Sequence, residues 1–73
     1  MQRFILVRSE DITGVSGIGE VAEGIVFTNG MVVIRWLRKP YALGYFQTLK
    51  DVIRIHGHEG CTRVKFIDQV DIN

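Results

Sequence analysis

Two apolar-rich runs flank Asn29-Gly30, and together they form the stretch Glu20–Leu37 around which the chain is organised. Both residues of the Asn-Gly pair readily take the positive φ that a two-residue type I′ turn requires. The pattern therefore predicts a β-hairpin, and this turn sets a register in which Arg35 lies opposite Gly24. Both faces of the hairpin are largely apolar, so both are expected to need cover.

Alternation and helical spacing predict the other elements. The expected elements, in chain order, are strands at 2–8, 20–28, 31–37 and 41–47, a helix at 49–56 and a last strand at 62–68. Thr48 is a typical N-cap for this helix. The apolar stripe of the helix, spaced i, i+3, i+4 and i+7, consists of Leu49, Val52, Ile53 and His56. The order β-β-β-β-α-β indicates a mainly β (α+β) domain: a small curved antiparallel sheet with one short helix, or an SH3-like partial barrel.

Size and composition restrict the function classes. Seventy-three residues, 47% hydrophobic and 23% charged, predict a single globular domain, 1–73, near the lower size limit for a core without disulfides or metal. Two apolar hairpin faces in so short a chain favour a homo-oligomer. A formal charge of +1 gives no general attraction to nucleic acid or membrane. The lone Cys61 and the short apolar run near residue 5 predict a cytoplasmic protein.

Arg35 is the first candidate for chemistry, because an arginine inside an apolar strand needs a partner. One interpretation is an ion pair with Glu20, with Glu23 or with an acid of a neighbouring subunit. The other is bidentate capture of a phosphate or carboxylate. In the predicted register, Gly24 leaves room opposite Arg35 for a ligand to lie flat against the strand.

A glycine-rich loop and a histidine form the second part of this candidate site. The segment Ser16-Gly17-Ile18-Gly19 can present backbone N–H groups to an anion, although the strand after it excludes a dinucleotide-binding fold. His58, in a glycine-flanked turn, adds a donor that strengthens as pH falls. We expect these groups and Arg35 to meet in a pocket between subunits. The candidate ligand-binding residues are Ser16, Gly17, Gly19, Gly24, Arg35, Trp36 and His58.

The sequence does not favour a metal site, a cofactor or catalysis. The run 56–61 (HGHEGC) holds potential metal donors, but a second segment of zinc ligands is missing. No nucleophile and base are arranged for catalysis, so a non-enzymatic protein is expected. The segment 36–46 interleaves aromatic residues with Arg38 and Lys39, as single-stranded nucleic-acid binders do. Near-neutral charge makes core aromatics beside a solvated basic turn the favoured interpretation, and nucleic acid the less favoured partner.

The chain contains four short motifs, in the order SGxGxVAEG, NG, RW and HGHxG. This succession resembles a family of short proteins found in phages and in bacteria that carry prophage-like genes. The resemblance implies a phage accessory protein in the host cytoplasm, a class typically made of binders or inhibitors. The expected function is homo-oligomeric capture of an anionic, nucleotide-like ligand to counter host defence. The alternatives are a protein-interaction module that inhibits a host factor and a single-stranded nucleic-acid binder.

Overall fold

Five antiparallel strands and one helix make up the part of the chain that the computed structural model describes, residues 1–9, 18–57 and 60–68. The elements are β1 (Gln2–Arg8), β2 (Gly19–Val26), β3 (Val32–Trp36), β4 (Leu43–Phe46), α1 (Leu49–His56) and β5 (Thr62–Phe66). The strands form one unclosed sheet in the order β4-β3-β2-β1-β5. The predicted mainly β fold with the order β-β-β-β-α-β is therefore confirmed.

The core lies between α1 and one face of the sheet. Side chains alternate between the two faces of a strand, and the cross-strand partners Phe4, Gly24 and Ile34 fall on the face that α1 covers. The fully buried apolar residues are Phe4, Leu6, Val21, Ala22, Val32, Ile34 and Val52. Apart from Val21, which lies at an irregularity in the β1–β2 register, odd-numbered strand residues project from the opposite side, which we call the open face.

The helix begins as the sequence predicts. The Thr48 hydroxyl oxygen accepts a hydrogen bond from the Asp51 backbone N–H at 3.2 Å, which satisfies one of the free donors of the first turn. Val52 is the buried residue of α1, whereas Ile53, expected on the buried stripe, is half-exposed. Ile53 is half-exposed because the eight-residue helix contacts the sheet along Leu49, Val52 and His56, and Ile53 lies on its flank.

The hairpin between β2 and β3 is confirmed, but its turn differs from the prediction. The Phe27 N–H donates to the Met31 carbonyl at 2.7 Å, and the Gly30 N–H donates to the Phe27 carbonyl at 2.9 Å. Among the three loop residues, only Gly30 has a positive φ, of 89°. The side-chain oxygen of Asn29 instead accepts the Met31 N–H at 3.0 Å. These bonds define a three-residue loop that ends in a left-handed glycine, and the predicted type I′ turn is wrong.

The longer loop shifts the register by one residue. Arg35 lies opposite Glu23, and Gly24 lies opposite Ile34. The predicted pairing of Arg35 with Gly24 is therefore wrong. Arg35 and Glu23 share the open face, whereas Gly24 belongs to the face that α1 covers.

Replacing Gly30 with valine is expected to lower the free energy of unfolding by about 1–3 kcal/mol, because a β-branched residue resists positive φ. Nothing lies within 4 Å of a Cβ built at Gly30, so the cost comes from the backbone alone. Gly30→Asn is the matched control and is expected to cost less, since asparagine tolerates the left-handed region. Urea unfolding checks both variants, and equal midpoints for valine and glycine would contradict the turn.

Candidate functional site

A shallow cavity of about 360 Å³ lies on the open face. The residues around it include Arg3, Ile5, Glu23, Ile25, Val33 and Arg35. Aliphatic side chains from the neighbouring strands β1, β2 and β3 lie between two arginines of the same face, Arg3 on β1 and Arg35 on β3. The arrangement combines an apolar surface with cationic groups at its rim, which suits a ligand with both apolar and anionic parts.

Arg35 is the less firmly bound of the two arginines. Its Nη1 lies 3.4 Å from the Glu23 Oε1, and the two side chains are 50% and 54% exposed. Exposed ion pairs of this kind stabilise a protein by at most about 1 kcal/mol, because water and salt screen them. An incoming phosphate can therefore replace the Glu23 carboxylate at little cost to the fold. The ion pair predicted as one interpretation of Arg35 is present, and it leaves the guanidinium accessible.

Tyr41 orients the Arg35 guanidinium. The guanidinium carbon lies 5.4 Å from the centroid of the Tyr41 ring, within the range of a cation–π contact. Tyr41 has a φ of 57°, and its N–H donates to the Arg38 carbonyl at 2.8 Å. This turn, rather than the strand predicted at 41–47, positions the ring. Tyr41 carries no sequence signal for this role, because its turn conformation is uncommon for a residue other than glycine.

Arg3, in contrast, is held firmly by Asp68. Arg3 Nη2 donates to Asp68 Oδ1 at 2.7 Å, and the Arg3 backbone N–H donates to Asp68 Oδ2 at 2.7 Å. The side-chain hydrogen bond from Arg3, followed by the backbone one, lowers the pKa of Asp68. The same hydrogen bond raises the pKa of Arg3. This pair ties the start of β1 to the residues that follow β5.

Two of the predicted ligand-binding residues lie on the covered side of the sheet. A Cβ added to Gly24 would lie 2.7 Å from the Phe4 Cε1 and 2.8 Å from the Val33 carbonyl oxygen. The space beside Gly24 is thus filled by the Phe4 ring, and the prediction that it leaves room for a ligand opposite Arg35 is wrong. The Trp36 ring packs edge-to-face against His56, with centroids 5.0 Å apart, so it is on the opposite face from Arg35.

The predicted glycine loop is described only at its end. Gly19 is exposed, has a φ of 84° and pairs with Arg8 at the start of β2. It is four residues from Glu23, a separation of about 13 Å along an extended strand. Ser16-Gly17 and His58 lie outside the described residues. Their convergence with Arg35 on one anion stays a prediction.

The described part of the chain contains no group of three or more His, Cys, Asp or Glu side chains placed to hold a metal ion. Its one helix is too short and too polar to cross a membrane.

Comparison with known proteins gives one family. Neither the curated proteins nor the solved structures yield a match to the chain. A family model described as "Acb5 phage protein" matches residues 1–68, which is nearly the whole length of 73 residues. The match agrees with the phage-type family that the sequence motifs resemble. The chain belongs to the Acb5 phage protein family.

Proposed function

We propose that this phage accessory protein binds an anionic, nucleotide-like ligand on its open face. In this proposal the protein is of the anti-CBASS type, which counters a host defence system. It acts as a homo-oligomer. The observation that carries the proposal is the half-exposed Arg35 at the rim of a cavity with an aliphatic floor. The family supports the setting, and the geometry supports the class of ligand.

The guanidinium of Arg35 suits an oxyanion. Arginine presents parallel N–H donors that match two oxygens of a phosphate, and such charge-assisted pairs are stronger than neutral hydrogen bonds. The single contact to Glu23, at 3.4 Å, is long for a hydrogen bond of this kind. A phosphate at the same position would make shorter contacts, and the Tyr41 ring would hold the guanidinium plane in place.

The floor of the cavity suits the remainder of a nucleotide. Ile5, Ile25 and Val33 present aliphatic surface from three adjacent strands. A volume of about 360 Å³ is near the lower end of small-molecule sites, which span about 300–1,000 Å³. The site of one copy therefore fits a small ligand, and a second copy that extends it would allow a larger one.

Arg35→Ala is expected to abolish nucleotide binding and leave the fold intact. Each charge-assisted hydrogen bond that it removes contributes about 1.5–3 kcal/mol, so two bonds correspond to a loss of more than about 100-fold in affinity. The measurement is isothermal titration calorimetry with a panel of linear and cyclic mono- and dinucleotides. Arg35→Lys is also expected to bind poorly, because a point charge does not reproduce the bidentate geometry.

Two variants serve as controls. Arg54→Ala makes the same change of charge on α1, where Arg54 is exposed and lies 3.7 Å from Asp51, and it is expected to bind normally. Glu23→Gln removes the competing carboxylate and is expected to tighten binding.

Unfolding of Arg35→Ala would show instead that Arg35 is a structural partner of Glu23. No heat with the wild-type protein would favour the protein-partner alternative, and recovery of a cleaved nucleotide would overturn the non-enzymatic assignment.

A further inference from the structure

We propose that β4 pairs antiparallel with β4 of a second copy of the chain, about a two-fold axis at Gly44. This inference rests on the homo-oligomer of the proposed function and identifies its interface. The pairing joins two five-stranded sheets edge to edge and leaves both open faces accessible.

The side chains of β4 leave this edge unprotected. β4 and β5 are the two edges of the sheet. Natural proteins commonly protect edge strands with charged side chains, and β5 carries the exposed Arg63 and Lys65. β4 carries Leu43 and Tyr45 instead, which are 72% and 77% exposed. An edge with exposed apolar side chains and no charge is suited to pairing with another strand.

The backbone of β4 has its free groups in positions that match a second copy. The Trp36 N–H donates to the Ala42 carbonyl at 2.9 Å, which makes these two residues a hydrogen-bonded pair between β3 and the chain leading into β4. Because such pairs alternate along an antiparallel ladder, Gly44 also points its backbone groups toward β3. The N–H and C=O groups of Leu43 and Tyr45 therefore point outward.

A two-fold axis at Gly44 pairs all of these outward groups. Leu43 then exchanges two hydrogen bonds with Tyr45 of the second copy, and symmetry repeats the exchange, which gives four bonds. The Leu43 and Tyr45 side chains meet across the strands on the open face, where apolar cross-strand pairs stabilise a sheet. Gly44 faces Gly44 of the second copy and adds no side chain to the contact.

This pairing brings Tyr45 of the second copy to the candidate site. Leu43 lies opposite Arg35 on the open face. Tyr45 of the second copy lies on the other side of Leu43. Each Arg35 therefore lies beside an apolar patch that both copies form. The combined surface extends the small cavity of one copy across the two-fold axis.

Disulfide trapping tests the register. Gly44→Cys is combined with Cys61→Ser, which removes the natural cysteine of the chain. Residues in a non-hydrogen-bonded antiparallel pair have Cα atoms about 4.5 Å apart, a distance that a disulfide spans. Mild oxidation is expected to link the Gly44→Cys variant into dimers within minutes, whereas Ile55→Cys, exposed on α1, is expected to link at least tenfold more slowly. Equal rates would overturn the proposal.

Sedimentation of Tyr45→Lys in the otherwise natural chain tests the interface without a cysteine. A lysine at this edge is expected to convert a wild-type dimer into a monomer, whereas Ile55→Lys is expected to stay dimeric. A wild-type monomer, or a dimer that Tyr45→Lys leaves intact, would overturn the pairing. These outcomes are separate from the ligand test, because a monomer that still binds nucleotide refutes only the interface. A dimer without nucleotide binding refutes only the ligand.

Discussion

Phe4→Ala is expected to lower the free energy of unfolding by about 3–5 kcal/mol, the usual cost of removing a buried aromatic ring. Phe4 is fully buried, and its ring packs edge-to-face against Phe66 with centroids 6.2 Å apart. Domains of this size are stabilised by only about 0.05–0.15 kcal/mol per residue, so the loss is a large fraction of the total. Urea unfolding followed by circular dichroism measures it.

Phe66→Ala is the matched control for this prediction. It removes the other ring of the same aromatic pair, but Phe66 is exposed at the edge of the sheet. The free energy of unfolding is therefore expected to fall clearly less for Phe66→Ala than for Phe4→Ala, because Phe66 buries less apolar surface on folding. If Phe66→Ala were as unstable as Phe4→Ala, the centre of the core would lie nearer β5 than it does in the structure, which would contradict the prediction.

The elements of the fold could be predicted from the sequence because they depend on local patterns. Alternation along each strand, the helical spacing after residue 48 and the Thr48 cap are properties of neighbouring residues. The hairpin register could not be predicted in the same way. Asn-Gly fits both a two-residue and a three-residue loop, and this chain forms the longer one, in which the Asn29 side chain accepts the Met31 N–H.

The candidate site was predictable only in part, because its contacts are between distant residues. Arg35 could be singled out as a charge within an apolar strand, and Glu23 was one of its predicted partners. The Arg3–Asp68 pair joins residues 65 positions apart and has no local sequence signal. Tyr41 depends on a positive φ that its own residue type disfavours. Only the assembled sheet brings these groups to one face.

Gly24→Ala is expected to lower the free energy of unfolding by about 1–3 kcal/mol, the usual cost of overpacking a core. The added methyl group would lie 2.8 Å from the Val33 carbonyl oxygen and would also overlap the Phe4 ring. The backbone oxygen is fixed by the β2–β3 ladder, so the ring or the strand must shift. Urea midpoints of the single variant and of the wild type measure the loss.

A double-mutant cycle with Phe4→Leu isolates the steric part of this loss. Leucine removes the ring atoms nearest to Gly24, so Gly24→Ala is expected to cost less in the Phe4→Leu background than in the natural chain. The same variant separates the two interpretations of Gly24. If Gly24 lay opposite Arg35 and made room for a ligand, alanine would weaken nucleotide binding and leave the urea midpoint unchanged. Since the register places Gly24 under Phe4, we expect the reverse: a lower midpoint, with binding by the folded fraction retained.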